Sequence, residues 1–151
     1  LVILRTFSYA WGLAGLRLAF CIAHKEIIAY LFKVNYSLNI NTITVSIVRT
    51  LFRHYERRNI FIRKIINERK KIFTALNSFK FIKKIYPSEA NFLLFECYDA
   101  KTVYNELAEA GIFVKVLSEK PMFKNFLRVT VGTEEENNIF IERLKKIENK
   151  R

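Results

Sequence analysis

Apolar residues along this chain fall into runs whose spacing changes several times, and each change marks an element. Leu1 to Phe7 is a largely apolar, β-prone run and Leu16 to Ala23 is a second. Gly12-Leu13-Ala14-Gly15 lies between them, so the chain opens as strand, turn, strand, with Thr6 and Ser8 as a polar cluster at the end of the first strand. From His24 the apolar positions Ile27, Ile28, Leu31 and Phe32 recur at helical spacing, which predicts a short helix to about Val34. Tyr36 to Asn41 reads as a polar loop. Thr42 to about Tyr55 reads as a helix in spite of its β-branched content.

The clearest helix is predicted over Asn59 to Ser78. Ile62, Ile65, Ile66, Ile72, Phe73 and Leu76 form one stripe, and most of the basic residues fall on the other faces. Ile82 to Tyr86 reads as a strand ended by Pro87, and Asn91 to Cys97 as another, followed by Asp99 as an N-cap. The next helix carries Val103, Tyr104, Leu107 and Ala108 and stops at Gly111, a natural residue to follow a helix end. Ile112 to Leu117 and Phe126 to Val131 are predicted strands. Thr133 and Glu136 then have the spacing of a capping box, opening a helix that buries Phe140, Leu144 and Ile147. From Ile82 the order is β, β, α, β, β, α, which implies a compact α+β unit with helices on a small sheet. The first two strands differ, reading as the trailing edge of another sheet.

Composition narrows the classes. The chain has 151 residues, half of them apolar, so it can build a core and is not disordered. Val34 to Val48, the longest charge-free run, is rich in Asn, Ser and Thr, so no stretch reads as the ~20 apolar residues of a membrane span. Cys21 and Cys97 are too few for a disulfide scaffold, which points to a reduced, cytoplasmic setting. His24 and His54 read as helix residues, and no metal site is expected. The chain starts inside an apolar run and its only Met is Met122, so it is expected to be a piece of a longer protein.

The net charge of +12 is concentrated. Arg49 to Lys84 holds twelve Lys or Arg against Glu56 and Glu68, which is +10 of the total. Such a segment is either the solvated face of a long helix or a footprint for acidic partners or nucleic acid. No zinc-finger spacing, RNP-like strand or GXXG loop accompanies it, so nucleic acid is not the expected partner.

Four segments carry a resemblance. Arg5-Thr-Phe-Ser-Tyr-Ala-Trp-Gly-Leu-Ala-Gly-Leu-Arg17 resembles the lysine-bearing segment of fold-type I pyridoxal-phosphate aminotransferases, most closely that of the histidinol-phosphate aminotransferase family, T-F-S-K-A-F/W-G-L-A-G-L-R-L-G-Y. Pro87-Ser88-Glu89-Ala90-Asn91-Phe92-Leu93-Leu94 resembles the family's P-S-x-A-N-F-L-L strand, and Ala110 to Val114 its G-I-x-V turn. Leu127 to Thr133 with Glu135-Glu136-Asn137 resembles its L-R-I-T-V-G-T-x-E-E-N ending. The segments come in family order across nearly the whole chain.

The resemblance implies an α/β, fold-type I architecture: trailing strands of the large pyridoxal 5'-phosphate (PLP) domain at 1–23, connecting helices at 24–78 and a small α+β C-terminal domain at 79–151. It implies Ser8 and Arg17 as ligands of the PLP phosphate, and Arg128, with Asn91 beside it, as the clamp on the substrate's carboxylate. It implies small amino- and keto-acid substrates, amino transfer between glutamate and imidazole-acetol phosphate in histidine biosynthesis, and a homodimeric full-length enzyme. Two departures stand out. Tyr9 occupies the Schiff-base lysine position, and a phenol cannot form an imine, so no catalytic residue is assigned and this chain is expected to be inactive. The loop usually written P-Y-N-V-N stands as Asn35-Tyr36-Ser37-Leu38-Asn39, without its proline. Apart from the resemblance, Arg17 and Arg128 also read as plain sheet-edge arginines, Ser8 and Thr6 as turn residues. Two rivals stay open: a non-catalytic module that binds through the basic helix 49–84, and an aminotransferase for another amino acid.

Overall fold

The computed structural model describes residues 1–35, 40–117 and 121–150. The expected 35–39 loop therefore lies, after Asn35, outside the described residues. The chain divides into two compact units, Leu1–Ile62 and Arg63–Arg151. No helix among the described residues is long and apolar enough to cross a membrane.

In the first unit β1 (Val2–Thr6) pairs antiparallel with β2 (Ala19–Ala23), Val2 opposite Ala23 and Thr6 opposite Ala19. β2 starts three residues later than the apolar run predicts. Ala14–Leu16 winds into a 3-10 turn, and Arg17 takes a left-handed conformation at φ 52° that breaks any strand there. Phe7, buried at 6% exposure, packs against Phe20, Trp11 and Phe52 at centroid distances of 5.7–5.9 Å. Helix α1 covers Lys25–Val34 and α2 covers Thr42–Arg53, where the Asn41 side chain accepts the Thr44 N–H at 2.8 Å as N-cap. Cys21 is half-buried.

Helix α3 runs from Tyr55 to Leu76, beginning four residues before the predicted Asn59. Tyr55-Glu56-Arg57-Arg58 has no apolar period, so the pattern gave no sign of this first turn. The helix ends before Ser78 because Asn77 Nδ2 donates to the Phe73 carbonyl and Ser78 Oγ to the Ala75 carbonyl, local bonds that compete with the next helical turn.

The second unit is a two-layer α/β sandwich. Strands β3 (Ile82–Tyr86), β4 (Phe92–Cys97), β5 (Lys115–Val116) and β6 (Phe126–Thr130) form an antiparallel sheet in the order β3-β4-β6-β5. Helices α4 (Ala100–Glu109), α5 (Glu134–Asn149) and the later turns of α3 supply the other layer. Strand alternation sends Leu93, Phe95, Cys97, Leu127 and Val129 into the core, where they meet Ile72, Leu76, Val103, Leu107, Phe140, Leu144 and Ile147. β5 is much shorter than Ile112–Leu117. Gly111, at φ 75°, closes α4 by donating its N–H to Ala108 O while Ile112 N–H goes to Leu107 O, so Ile112 serves the helix end instead of a strand. The predicted caps form: Asp99 Oδ1 accepts from Thr102 N, Thr133 Oγ1 from Glu136 N, and Glu136 Oε2 from Thr133 N at 2.7 Å.

Candidate functional site

The sequence candidates fall into two groups, one in each unit. In the first unit the turn after β1 is built by backbone bonds from Gly12 N to Tyr9 O and from Leu13 N to Phe7 O, both 3.0 Å. Gly12 takes φ 65°, which is why a glycine serves there. The turn brings hydroxyls together: Thr6 Oγ1 and Ser8 Oγ lie 2.7 Å apart, and Ser8 N–H donates to Thr6 Oγ1 at 3.1 Å. Tyr9 stands on this turn with its side chain 64% exposed. Arg17 donates from Nη1 to Ala14 O at 3.2 Å. Its left-handed backbone costs roughly 1–2 kcal/mol in a residue with a Cβ, the kind of strain that concentrates at functional positions. Trp11 is covered by the Arg58 guanidinium, 4.7 Å from the ring centroid.

In the second unit Arg128 sits on β6 opposite Leu94 of β4 and Lys115 of β5, on the sheet face away from the helices. Its guanidinium carbon lies 5.0 Å from the centroid of the Phe92 ring. No carboxylate among the described residues pairs with it. Glu96, diagonal to Arg128 on that face, is held by Lys83 Nζ at 2.7 Å, and that bond keeps the Lys83 ammonium above the usual lysine range. Asn91 lies at the mouth of β4, where its carbonyl accepts the Val131 N–H at 2.9 Å.

Two further residues hold this part of the sheet in place: Arg69, which the pattern does not single out, and Asn137, the last residue of the family's ending motif. Arg69 of α3 is buried and donates from Nη1 to the Ala90 carbonyl at 2.7 Å, with Glu89 at 3.5 Å from Nη2. It is the exception to the rule that the basic residues avoid the apolar face. A signal existed, since position 69 lies three before Ile72 and seven before Leu76 on the stripe. Asn137 is also buried: its Oδ1 accepts Gly132 N–H at 2.9 Å, and its Nδ2 donates to Glu68 Oε2 at 2.8 Å and to Gly132 O. Arg69 and Glu68 thus anchor the start of β4 and the end of β6, two antiparallel neighbours, from adjacent positions of one helix. A cleft of about 560 Å³ lined by Phe113, Thr130, Asn137 and Ile139 contains none of the sequence candidates. Among the described residues no cluster of His, Cys, Asp or Glu could hold a metal ion.

Comparison with known proteins places these features in context. A family model described as aminotransferase class I and II matches residues 1–144. A histidinol-phosphate aminotransferase of Flavobacterium psychrophilum is 43% identical over 146 residues, covering 96% of this chain and 42% of the relative. The crystal structure of the histidinol-phosphate aminotransferase from Clostridium acetobutylicum superposes with a TM-score of 0.89 at 24% identity, over 99% of this chain and 46% of that one. The Sinorhizobium meliloti histidinol-phosphate aminotransferase, solved in complex with pyridoxal-5'-phosphate, gives 0.81 at 21%, over 97% and 41%. This chain therefore spans less than half the length of the relatives it matches. Its fold is the mixed α/β fold of these fold-type I structures, including their small C-terminal sheet domain.

Proposed function

Because the chain belongs to the aminotransferase class I and II family, we propose that its residues make up the C-terminal part of a histidinol-phosphate-type aminotransferase. The reaction would be amino transfer between glutamate and imidazole-acetol phosphate, in a homodimer. Residues 1–23 would be the last strands of the large domain, 24–78 connecting helices and 79–151 the small domain. The observation that carries the reading is the retention of Ser8, Arg17, Asn91 and Arg128 in family order, within a chain 43% identical to a histidinol-phosphate aminotransferase.

Each retained group has chemistry that suits its role. Arg128 offers the paired in-plane N–H donors that match a carboxylate in a fork, and no acidic neighbour among the described residues competes for them. Ser8 and Arg17 supply a hydroxyl and a second guanidinium, donors of the kind that hold a phosphate. PLP, when bound, supplies the carbonyl and electron sink of transamination. The donor set fits the phosphate end of that cofactor and not its aldehyde end: position 9 carries a phenol, and the nearest lysine in sequence, Lys25, begins α1. The cofactor is therefore not held covalently at position 9, and this chain is inactive as a transaminase.

A chimaera tests both halves of the proposal. The matching 42% of the Flavobacterium psychrophilum enzyme is replaced with this chain, carrying either Tyr9 or Tyr9→Lys, and turnover of glutamate with imidazole-acetol phosphate is measured. The expected result is no turnover with Tyr9 and turnover with Tyr9→Lys. Activity with Tyr9 overturns the inactivity, and an inactive Tyr9→Lys chimaera that folds and binds PLP overturns the aminotransferase reading. Preference for an aromatic keto acid in the same assay moves the substrate to another amino acid.

One observation favours the rival, non-catalytic reading. Arg49, Arg53, Arg57, Arg63, Lys64 and Lys70 are exposed, and none of their side chains has a partner among the described residues. If they serve a polyanion, binding to single-stranded RNA weakens steeply with salt. A flat salt response removes that reading.

A further inference from the structure

We propose that Phe92 is a positioning residue for Arg128: its ring is a platform that fixes the guanidinium before any carboxylate arrives. This rests on the reading of Arg128 as the carboxylate clamp. Arg128 and Phe92 lie on the same face of the sheet, on neighbouring strands, with Phe92 opposite Thr130 and Arg128 two positions earlier on β6. The guanidinium carbon is 5.0 Å from the ring centroid, inside the ~6 Å range of a cation–π contact. A guanidinium stacked on a ring uses its face and keeps its N–H donors, which lie in the plane, directed elsewhere. A carboxylate can therefore be taken up in a fork without displacing the ring. An arginine on a strand otherwise spends much of its time in other rotamers, and freezing one of them is a cost every ligand has to meet.

The platform itself is rigid for reasons visible in the backbone. Ala90 O accepts from the buried Arg69 guanidinium at 2.7 Å, and Asn91 O accepts from Val131 N at 2.9 Å. The two residues preceding Phe92 are thus tied to α3 on one side and to β6 on the other. On the same face Glu96 is occupied by Lys83, so it does not draw Arg128 away from the ring.

The test uses the chain with Phe92→Leu and Phe92→Tyr, and the NMR signal of the Arg128 side-chain Nε–H, identified by its loss in Arg128→Lys. In the free protein the side-chain protons of Arg128 should be shielded by the ring current with Phe or Tyr at position 92 and lose that shielding with Leu. On titration with 2-oxoglutarate, Phe92→Leu should bind about two- to five-fold more weakly, and Phe92→Tyr should bind as the parent does, since it keeps the ring face. Equal shielding, or equal affinity, in the parent and Phe92→Leu overturns the proposal. A shielded Arg128 signal that 2-oxoglutarate never moves has a different meaning. It overturns the carboxylate role of Arg128, and the proposal falls with it.

Discussion

The two units draw on similar sequence patterns and enclose very different amounts of them. Among the described residues, eighteen of the nineteen buried apolar side chains lie in Arg63–Arg151, and Phe7 is the single one in Leu1–Ile62. The exposed large hydrophobics are distributed the other way, twenty of twenty-four in the first unit. A period tells which face of an element is apolar; it does not supply the second layer that covers that face. The second unit has both layers, a four-stranded sheet and three helical surfaces. The first has a two-stranded ribbon, an architecture that is marginal in water by itself, and one aromatic cluster around Phe7.

The largest effect that separates the units is expected at Phe95, which has no exposed surface at the centre of the second core. Phe95→Ala should cost about 3–5 kcal/mol, read as a drop in the urea midpoint of the β4 and β6 amides by hydrogen exchange. Phe7→Ala removes an equally large ring from the first unit. It should change the fluorescence of Trp11, the only tryptophan, while leaving the β4 and β6 amides nearly as protected as before. If Phe7→Ala unfolds both units together, the contrast between them is wrong.

Asn137 comes next. Its buried side chain satisfies the Gly132 N–H and the Gly132 carbonyl and holds the carboxylate of the half-buried Glu68. Asn137→Ala removes these bonds, with Lys71 still paired to Glu68, and should cost about 1–3 kcal/mol in the same urea experiment. A loss below about 0.5 kcal/mol would show that water replaces the amide there without penalty.

These sites also show what could be read in the chain and what could not. The order β, β, α, β, β, α after Ile82 was legible, because strand alternation and local stop signals agreed at Pro87, Asp99, Gly111 and Thr133. The start of α3 was not, since Tyr55 to Arg58 has no apolar period, and β5 was overestimated because Ile112 commits its N–H to the end of α4. The family motifs pick out Ser8, Arg17, Asn91 and Arg128; Ser8 and Arg17 lie between β1 and β2, Asn91 just before β4 and Arg128 on β6. Arg69 and Glu68 escape a reading in which charge marks the solvated face. Partners that lie far off in sequence, Ala90 and Asn137, are what make it possible to bury them.

Helix caps offer a smaller and more closely matched comparison, because both units contain a side-chain N-cap. Thr133 caps α5 and Asn41 caps α2, each accepting a backbone N–H. Either change to Ala should remove about 1 kcal/mol locally. In the second unit that loss should appear in the cooperative urea transition, since α5 carries Phe140, Leu144 and Ile147 into the core. In the first it should appear only as faster exchange of the α2 amides, whose helix buries Thr44 alone. Equal shifts of the global midpoint from both variants would show that the two units unfold as one.

The smallest effect is a pH dependence, and it belongs to the second unit. Glu136 accepts the Thr133 backbone N–H at 2.7 Å in the capping box, and the bonds to the Thr133 backbone and side chain hold its carboxyl below the ordinary range. In the unfolded chain the same group titrates near about 4.3. The folded form therefore prefers the carboxylate, and between the two values the unfolded chain binds more protons, so stability rises with pH there. The contribution is fully present above about pH 4.3 and fades as pH falls through the lowered folded value. Glu136→Gln keeps an acceptor oxygen and removes the titration. The difference in urea midpoint between the parent and Glu136→Gln should thus be constant from about pH 7 down to about pH 5 and then shrink towards pH 3. A difference that stays constant over the whole range would mean that the capping box works through its hydrogen bonds alone, with no part played by the charge.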